Sequence, residues 1–208
     1  MSQVTRQDIE AAVASAGLPP LPEGAASKFE QYLSLLLKWN ARLNLTAVRE
    51  PAEIVQRHFL ECIQCALALP PVSTLLDFGS GAGLPGIPIA LLRPEIKVIL
   101  GESQAKKAAF LREAARTLDI QASIFDGRIE AMPPSQRFEA ITLRAVDKMA
   151  EACAIAIHHL DPSGWLMAFA SESTDPEIRK AAQGLSWSDP IPLFGRDKSY
   201  LLLGRKLA

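Results

Sequence analysis

Leu75-Leu76-Asp77-Phe78-Gly79-Ser80-Gly81-Ala82-Gly83-Leu84-Pro85-Gly86-Ile87 decides the reading of this chain. A short apolar run ends on a carboxylate, three glycines follow at alternate positions, and Ile87-Pro88-Ile89-Ala90-Leu91-Leu92 then reads as a helix. Strand, glycine turn and helix in this order make the nucleotide-type cofactor turn of a Rossmann-like sheet. Glycine permits the sharp turn and lets a ligand approach backbone that a β-carbon would screen. With Pro85 as the first helical residue, Pro88 is the fourth, so both occupy positions whose amide has no partner within the helix.

Upstream of this turn the pattern is helical. A short helix is expected around Asp8 to Ser15, then a linker carrying Gly17, Pro19, Pro20 and Pro22. From about Pro22 to Asn44, Phe29, Leu33, Leu36 and Leu43 fall at helical spacing, with Tyr32 and Leu37 beside them. Asn40 lies on that stripe, and a buried amide there is expected to pin the following loop. Pro51 opens another helix to about Leu69, whose inner face carries Val55, His58, Phe59, Cys62 and Ala66; His58 reads as a core histidine with satisfied bonds. Residues 1–70 thus form an N-terminal helical extension packed on a Rossmann-like domain at 71–208.

From Thr74 onward strands and helices alternate, which predicts a mostly parallel sheet of about seven strands covered on both faces. The strands are expected near 74–78, 97–102, 121–125, 138–143, 164–170, 190–194 and 199–205. Helices at 104–118 and 146–160 would turn Leu111, Ala115 and Leu118, and Met149, Cys153, Ala156 and Leu160, inward. The last two strands leave no room for a crossover helix and should form an antiparallel hairpin at the sheet edge.

Composition narrows the function. A 208-residue chain with 49% hydrophobic and 22% charged residues can bury a real core, and a net charge of −1 leaves no global basic field for nucleic acid. Three cysteines cannot all pair, and the single Cys62-x-x-Cys65 lacks further ligands at zinc spacing, so no metal is expected and the thiols read as reduced and buried. A polar N-terminus and the absence of a spanning apolar run predict a cytoplasmic protein with no membrane contact.

Three loops at the carboxyl ends of successive strands would face one crevice. In the first, Asp77 stands where a dinucleotide dehydrogenase carries an apolar residue, and a carboxylate can pair with a ligand ammonium. In the second, Glu102 is about twenty residues beyond Gly83, placed to accept hydrogen bonds from ribose hydroxyls. The third, Phe125-Asp126-Gly127-Arg128-Ile129-Glu130, offers backbone and the apolar Ile129 to an adenine. The ammonium and the missing pyrophosphate spacing favour S-adenosylmethionine over NAD, with Asp77, Gly81, Gly83 and Glu102 assigned to it from loop geometry.

Further motifs occur in order: Trp39-Asn40-x-x-x-Asn44-Leu45-Thr46, Arg57-His58, the glycine turn, Lys106-Lys107-x-x-Phe110-Leu111, Gly127-Arg128-x-Glu130 and Arg144-Ala145-Val146. Over about residues 28 to 160 the chain resembles the bacterial small-subunit ribosomal RNA guanine-N7 methyltransferases (RsmG, also called GidB, glucose-inhibited division protein B). The resemblance implies the fold of a class I S-adenosylmethionine-dependent methyltransferase and transfer to N7 of one guanine in 16S ribosomal RNA or the small ribosomal subunit. It places cofactor contacts on Gly79, Leu84, Ile129, Glu130 and Arg144. Arg144, after the fourth strand, is expected to touch both cofactor and target base and to act by positioning, since N7 carries no proton for a general base to remove. Arg57, Lys106, Lys107, Arg128, Lys148, Arg196 and Lys198, with Arg42 and Arg49, are the candidate RNA contacts. N7 lies on an edge hidden in the deep groove of an RNA helix, which predicts an unpaired or extruded guanine.

The match departs from the family in the acceptor half. Ala170-Ser171 stands where a Lys-Gly pair is usual, Arg196-Asp197-Lys198-Ser199-Tyr200 covers the region of a common arginine, and Glu61 and Glu102 replace aspartates. A competing reading is therefore an RNA- or ribosome-binding assembly module with little or no transfer, or a methyltransferase for another RNA site, a protein or a small molecule. No oligomerisation stripe is evident, so a monomer is expected.

Overall fold

The computed structural model describes residues 4–195 and 198–207. Its N-terminal part is helical: α1 (Arg6–Ser15), α2 (Ala25–Leu43), α3 (Pro51–Ile54), a π turn at Val55–Phe59 and α4 (Leu60–Ala68). Thr5 and Asp8 cap α1 reciprocally, each side chain taking a backbone N–H of the other. The stripe on α2 buries Phe29, Tyr32, Leu33 and Leu36, and the rings of Phe29 and Tyr32 lie 5.1 and 5.3 Å from that of Phe59. Each such ring contributes roughly 1.5–3 kcal/mol of burial. These residues share a continuous core with Leu75, Ile87, Phe110 and Leu111 of the sheet layer. Helical extension and sheet therefore pack as one hydrophobic body.

The sheet begins at β1 (Thr74–Phe78), followed by α5 (Gly86–Leu92), β2 (Lys97–Glu102), α6 (Ala105–Thr117), β3 (Ala122–Asp126) and β4 (Phe138–Leu143). After these come α7 (Met149–His158), β5 (Leu160–Ser171), α8 (Asp175–Ala181), β6 (Leu185–Trp187), β7 (Ile191–Pro192) and β8 (Ser199–Lys206). Strand order is β3-β2-β1-β4-β5-β8-β6, with β7 also beside β8. The first five strands are parallel, and β8 is antiparallel to β5, β6 and β7. The order reverses between β1 and β4, so the crevice at their carboxyl ends is where ligands bind in such sheets.

Three details differ from the sequence expectation. Sequence reading expected no strand at β6, and the pair β7–β8 does not end the sheet: β8 enters between β5 and β6. The physical reason is the run Leu201-Leu202-Leu203, buried throughout, which suits a strand covered on both faces better than an edge. Leu160 opens β5 instead of closing α7, which spans only Met149–His158. The chain enters α5 at Gly86, one residue later than expected, with Pro85 as its cap.

Candidate functional site

One crevice of about 940 Å³ opens at the switch point, lined by the glycine turn, the ends of β2, β4 and β5, the 127–130 loop and residues 45–47. Gly79 and Gly81 take left-handed backbone, φ +71° and +53°, which a β-carbon would strain. A β-carbon on Gly79 would also sit 3.0 Å from Val146, so the turn passes directly beneath the loop after β4. From below, the buried Tyr32 hydroxyl of α2 donates to the Ala82 carbonyl and fixes the turn.

Glu102 joins two of the loops. It accepts from the Gly81 amide at 3.0 Å and the Gln104 amide at 2.8 Å, and its carboxylate borders the crevice. Ile129 is buried at the same wall, and Glu130, Leu84, Lys107 and Arg128 also line it. Gly79, Gly81, Leu84, Glu102, Ile129, Glu130 and Arg144 thus all line this one crevice.

Asp77 and Gly83 sit apart from this group. Neither is among the crevice-lining residues. Asp77 is 1% exposed, and its carboxylate accepts from Thr142 Oγ1 at 2.8 Å and the Gly86 amide at 3.2 Å. It therefore stitches β1 to β4 and to the start of α5. Its position on the strand is legible in the sequence, but the facing of Thr142 is not. Gly83 packs against Ile87 and Leu111, where a β-carbon would collide, so it lets the turn lie close on α5 and α6.

Burial pushes the Asp77 carboxyl up to about 6, against the lowering effect of the Thr142 and Gly86 hydrogen bonds. A folded-state value above the ordinary 3.8 means that the stabilising contribution is complete below pH 3.8 and is lost as pH rises through about 6. Relative to wild type, Asp77→Asn is expected to gain about 2 kcal/mol between pH 4 and pH 7. Paired urea melts at the two pH values measure this, and a pH-independent difference would show that the carboxyl is not shifted.

Arg144, also on the crevice, follows β4 and turns toward the helical extension. Its Nη2 donates to Glu61 Oε2 at 2.6 Å and His58 Nδ1 at 2.8 Å, and its guanidinium lies 5.4 Å from the centre of the Phe169 ring. His58 is buried with its ring bonds satisfied, as expected, and so is Glu61, but sequence reading did not foresee that both line the crevice. Helical periodicity puts His58 on the inner face but does not show that this face meets Arg144 of the loop after β4. Asn40 behaves as expected: it accepts from the Thr46 amide at 2.9 Å and donates to the Val48 carbonyl at 3.3 Å, fixing the loop that lines the crevice.

The candidate cations divide. Lys107, Arg128 and Lys148 border the crevice, while Lys106 is exposed on α6. Arg57, Lys148 and Lys198 pair with Glu53, Glu151 and Glu172 at 2.6, 3.2 and 3.5 Å, all exposed contacts. Exposed pairs of this kind are weak and open to exchange for phosphate. Arg49 is committed to the Asn40 carbonyl and the Asn44 side chain, and Arg196 lies outside the described residues. Cys62, Cys65 and Cys153 are buried, and burial pushes the Cys62 thiol up to about 12. Among the described residues no helix is long and apolar enough to cross a membrane.

A family model described as rRNA small subunit methyltransferase G (GidB) matches residues 25–196. The chain is 41% identical over 192 residues to the ribosomal RNA small subunit methyltransferase G of Xanthomonas campestris pv. campestris strain B100, covering 89% of this chain and 88% of that one. It is 38% identical over 195 residues to the protein of the same name from Stenotrophomonas maltophilia, covering 84% and 90%. Among solved structures, P. horikoshii TYW2 in complex with MeSAdo superposes with a TM-score of 0.55 at 15% identity, over 70% of this chain and 60% of that one. The glycopeptide N-methyltransferase MtfA complexed with sinefungin gives 0.57 at 14%, over 73% and 94%. At such identities these two structures speak to the fold alone.

Proposed function

The chain belongs to the rRNA small subunit methyltransferase G family, and from that premise we propose that the crevice joins a methyl donor to N7 of a guanine in 16S ribosomal RNA. The protein is an S-adenosylmethionine-dependent methyltransferase with the Rossmann-like fold of class I, acting on small-subunit ribosomal RNA. Guanine N7 as the acceptor atom and the assignment of single residues are our reading. So are a monomeric state, a cytoplasmic location, and the division into a helical extension at 1–70 and a catalytic domain at 71–208.

The residues present fit the donor. Left-handed Gly79 and Gly81 leave an open backbone cradle, Glu102 faces the crevice as a hydrogen-bond acceptor for ribose, and Ile129 offers an apolar wall to adenine. A crevice of about 940 Å³ leaves room for an acceptor base beside the nucleoside. The bound sulfonium supplies an electrophilic methyl group. Guanine N7 has an in-plane lone pair and no proton, so the protein is asked for alignment and exclusion of water. Such orientation is worth roughly 7–11 kcal/mol in favourable systems.

The observation that supports this reading is that Arg144 and the glycine turn line one crevice, with the guanidinium held at 2.6 Å by Glu61. A pre-set cation there can orient the guanine O6 edge or the donor's carboxylate without reorganising. Incubating the protein with methyl-labelled donor and purified small subunits, then mapping the label, tests it. One N7-methylguanosine in 16S RNA is expected. Label on another atom or molecule, or donor binding without transfer, would overturn it and favour the other-site or assembly-module reading.

A further inference from the structure

The α geometry between Pro51 and Ala68 is interrupted by the π turn at Val55–Phe59, and His58 lies within it. Wide turns of this kind are costly and recur at functional sites. Here the turn places the His58 ring and the Arg57 carbonyl on the side facing β4, where both receive Arg144 Nη2, at 2.8 and 3.4 Å. We infer that His58 is a positioning residue for methyl transfer, coupling the Asn40–Val48 loop of the helical extension to the pose of the Arg144 guanidinium. The inference rests on the reading that Arg144 orients the reactants.

The hydrogen-bond chemistry fixes the direction of the coupling. A guanidinium only donates, so His58 Nδ1 accepts from it and the ring hydrogen sits on Nε2. Nε2 then donates to Thr46 Oγ1 at 2.8 Å. Thr46 is held in turn: its amide donates to Asn40 Oδ1, and its hydroxyl oxygen also accepts from the Val48 amide at 3.2 Å. His58 is only 7% exposed, yet it borders the same crevice as Thr46 and Arg144. A histidine that served packing alone would need neither the wide turn nor a ring nitrogen aimed at the one arginine that leaves β4 into the crevice.

Two near-isosteres separate the two ring bonds. The side-chain oxygen of asparagine reaches the place of Nδ1, so His58→Asn can still accept from Arg144 but not reach Thr46. The side-chain nitrogen of glutamine reaches the place of Nε2, so His58→Gln can still donate to Thr46 but offers Arg144 no acceptor. Each variant loses one hydrogen bond, so comparable falls in melting temperature are expected. Single-turnover transfer should differ: His58→Ala and His58→Gln slow it about 10- to 100-fold, and His58→Asn recovers it to within about fivefold. Donor Kd should stay near wild type in all three.

Equal rates for the asparagine and glutamine variants, or losses that follow melting temperature alone, would overturn the inference. Arg144→Lys is assayed alongside. If that variant transfers at the wild-type rate, the reading of Arg144 falls, and this inference with it. If it is inactive while His58→Gln is normal, only the role of His58 falls.

Discussion

Arg144→Lys is expected to lower single-turnover methyl transfer to purified small subunits by about 100-fold while the protein remains folded. Lysine keeps the charge but replaces a planar fork with a point donor. It cannot meet Glu61 Oε2, His58 Nδ1 and the Phe169 face together, as the guanidinium does. A displacement on the order of 1 Å at a reacting centre is enough for an effect of this size. Arg144→Met separates stability from chemistry. The Arg144 side chain is 11% exposed and that of Glu61 2%, so removing the cation takes one partner from a buried ion pair. That class of change costs roughly 3–5 kcal/mol. Urea midpoints should therefore place the methionine variant well below the lysine variant, with both equally slow in transfer. A lysine variant that transfers at the wild-type rate would show that charge alone suffices and that the fork has no part in alignment.

The Arg144 network also marks the limit of what the sequence discloses. The glycine turn, Glu102 and Ile129 were legible because each follows a strand whose carboxyl end is fixed by topology. Local order is enough to bring them to one crevice. The wall built by Thr46, His58, Glu61 and Phe169 was not legible, because its members come from a loop, a π turn, a helix and β5. No single period links them. Asp77 shows a subtler limit: its place at the end of β1 was right, yet the side chain turns to Thr142, its partner in register on β4. Strand register between residues 65 apart decides that facing, and no motif within the glycine turn encodes it. The strand β6 and the interior place of β8 escape the sequence for a similar reason. An apolar run can be an edge or a centre until its neighbours are known, and β6 is only three residues long.

Glu102→Ala should show its effect in the opposite kinetic parameter, raising donor Kd about 100-fold with transfer at saturating donor largely retained. The carboxylate holds the Gly81 and Gln104 amides, both within 3.0 Å, so it sets the distance between the glycine turn and the start of α6. Hydrogen bonds to a charged group contribute about 1.5–3 kcal/mol each, and 3 kcal/mol is roughly a hundredfold in Kd. Two roles are folded into that figure, shaping the cradle and meeting the ribose. Glu102→Gln separates them. An amide still presents one oxygen to a ribose hydroxyl, but its nitrogen meets one of the two backbone N–H groups donor to donor, so the cradle opens. If shaping dominates, glutamine should be nearly as weak as alanine. If the ribose contact dominates, glutamine should retain most of the affinity. Calorimetric titration of the donor into each variant reads both results. Wild-type affinity in the alanine variant would remove Glu102 from the donor site, leaving the glycine turn and the 127–130 loop to hold the nucleoside without it.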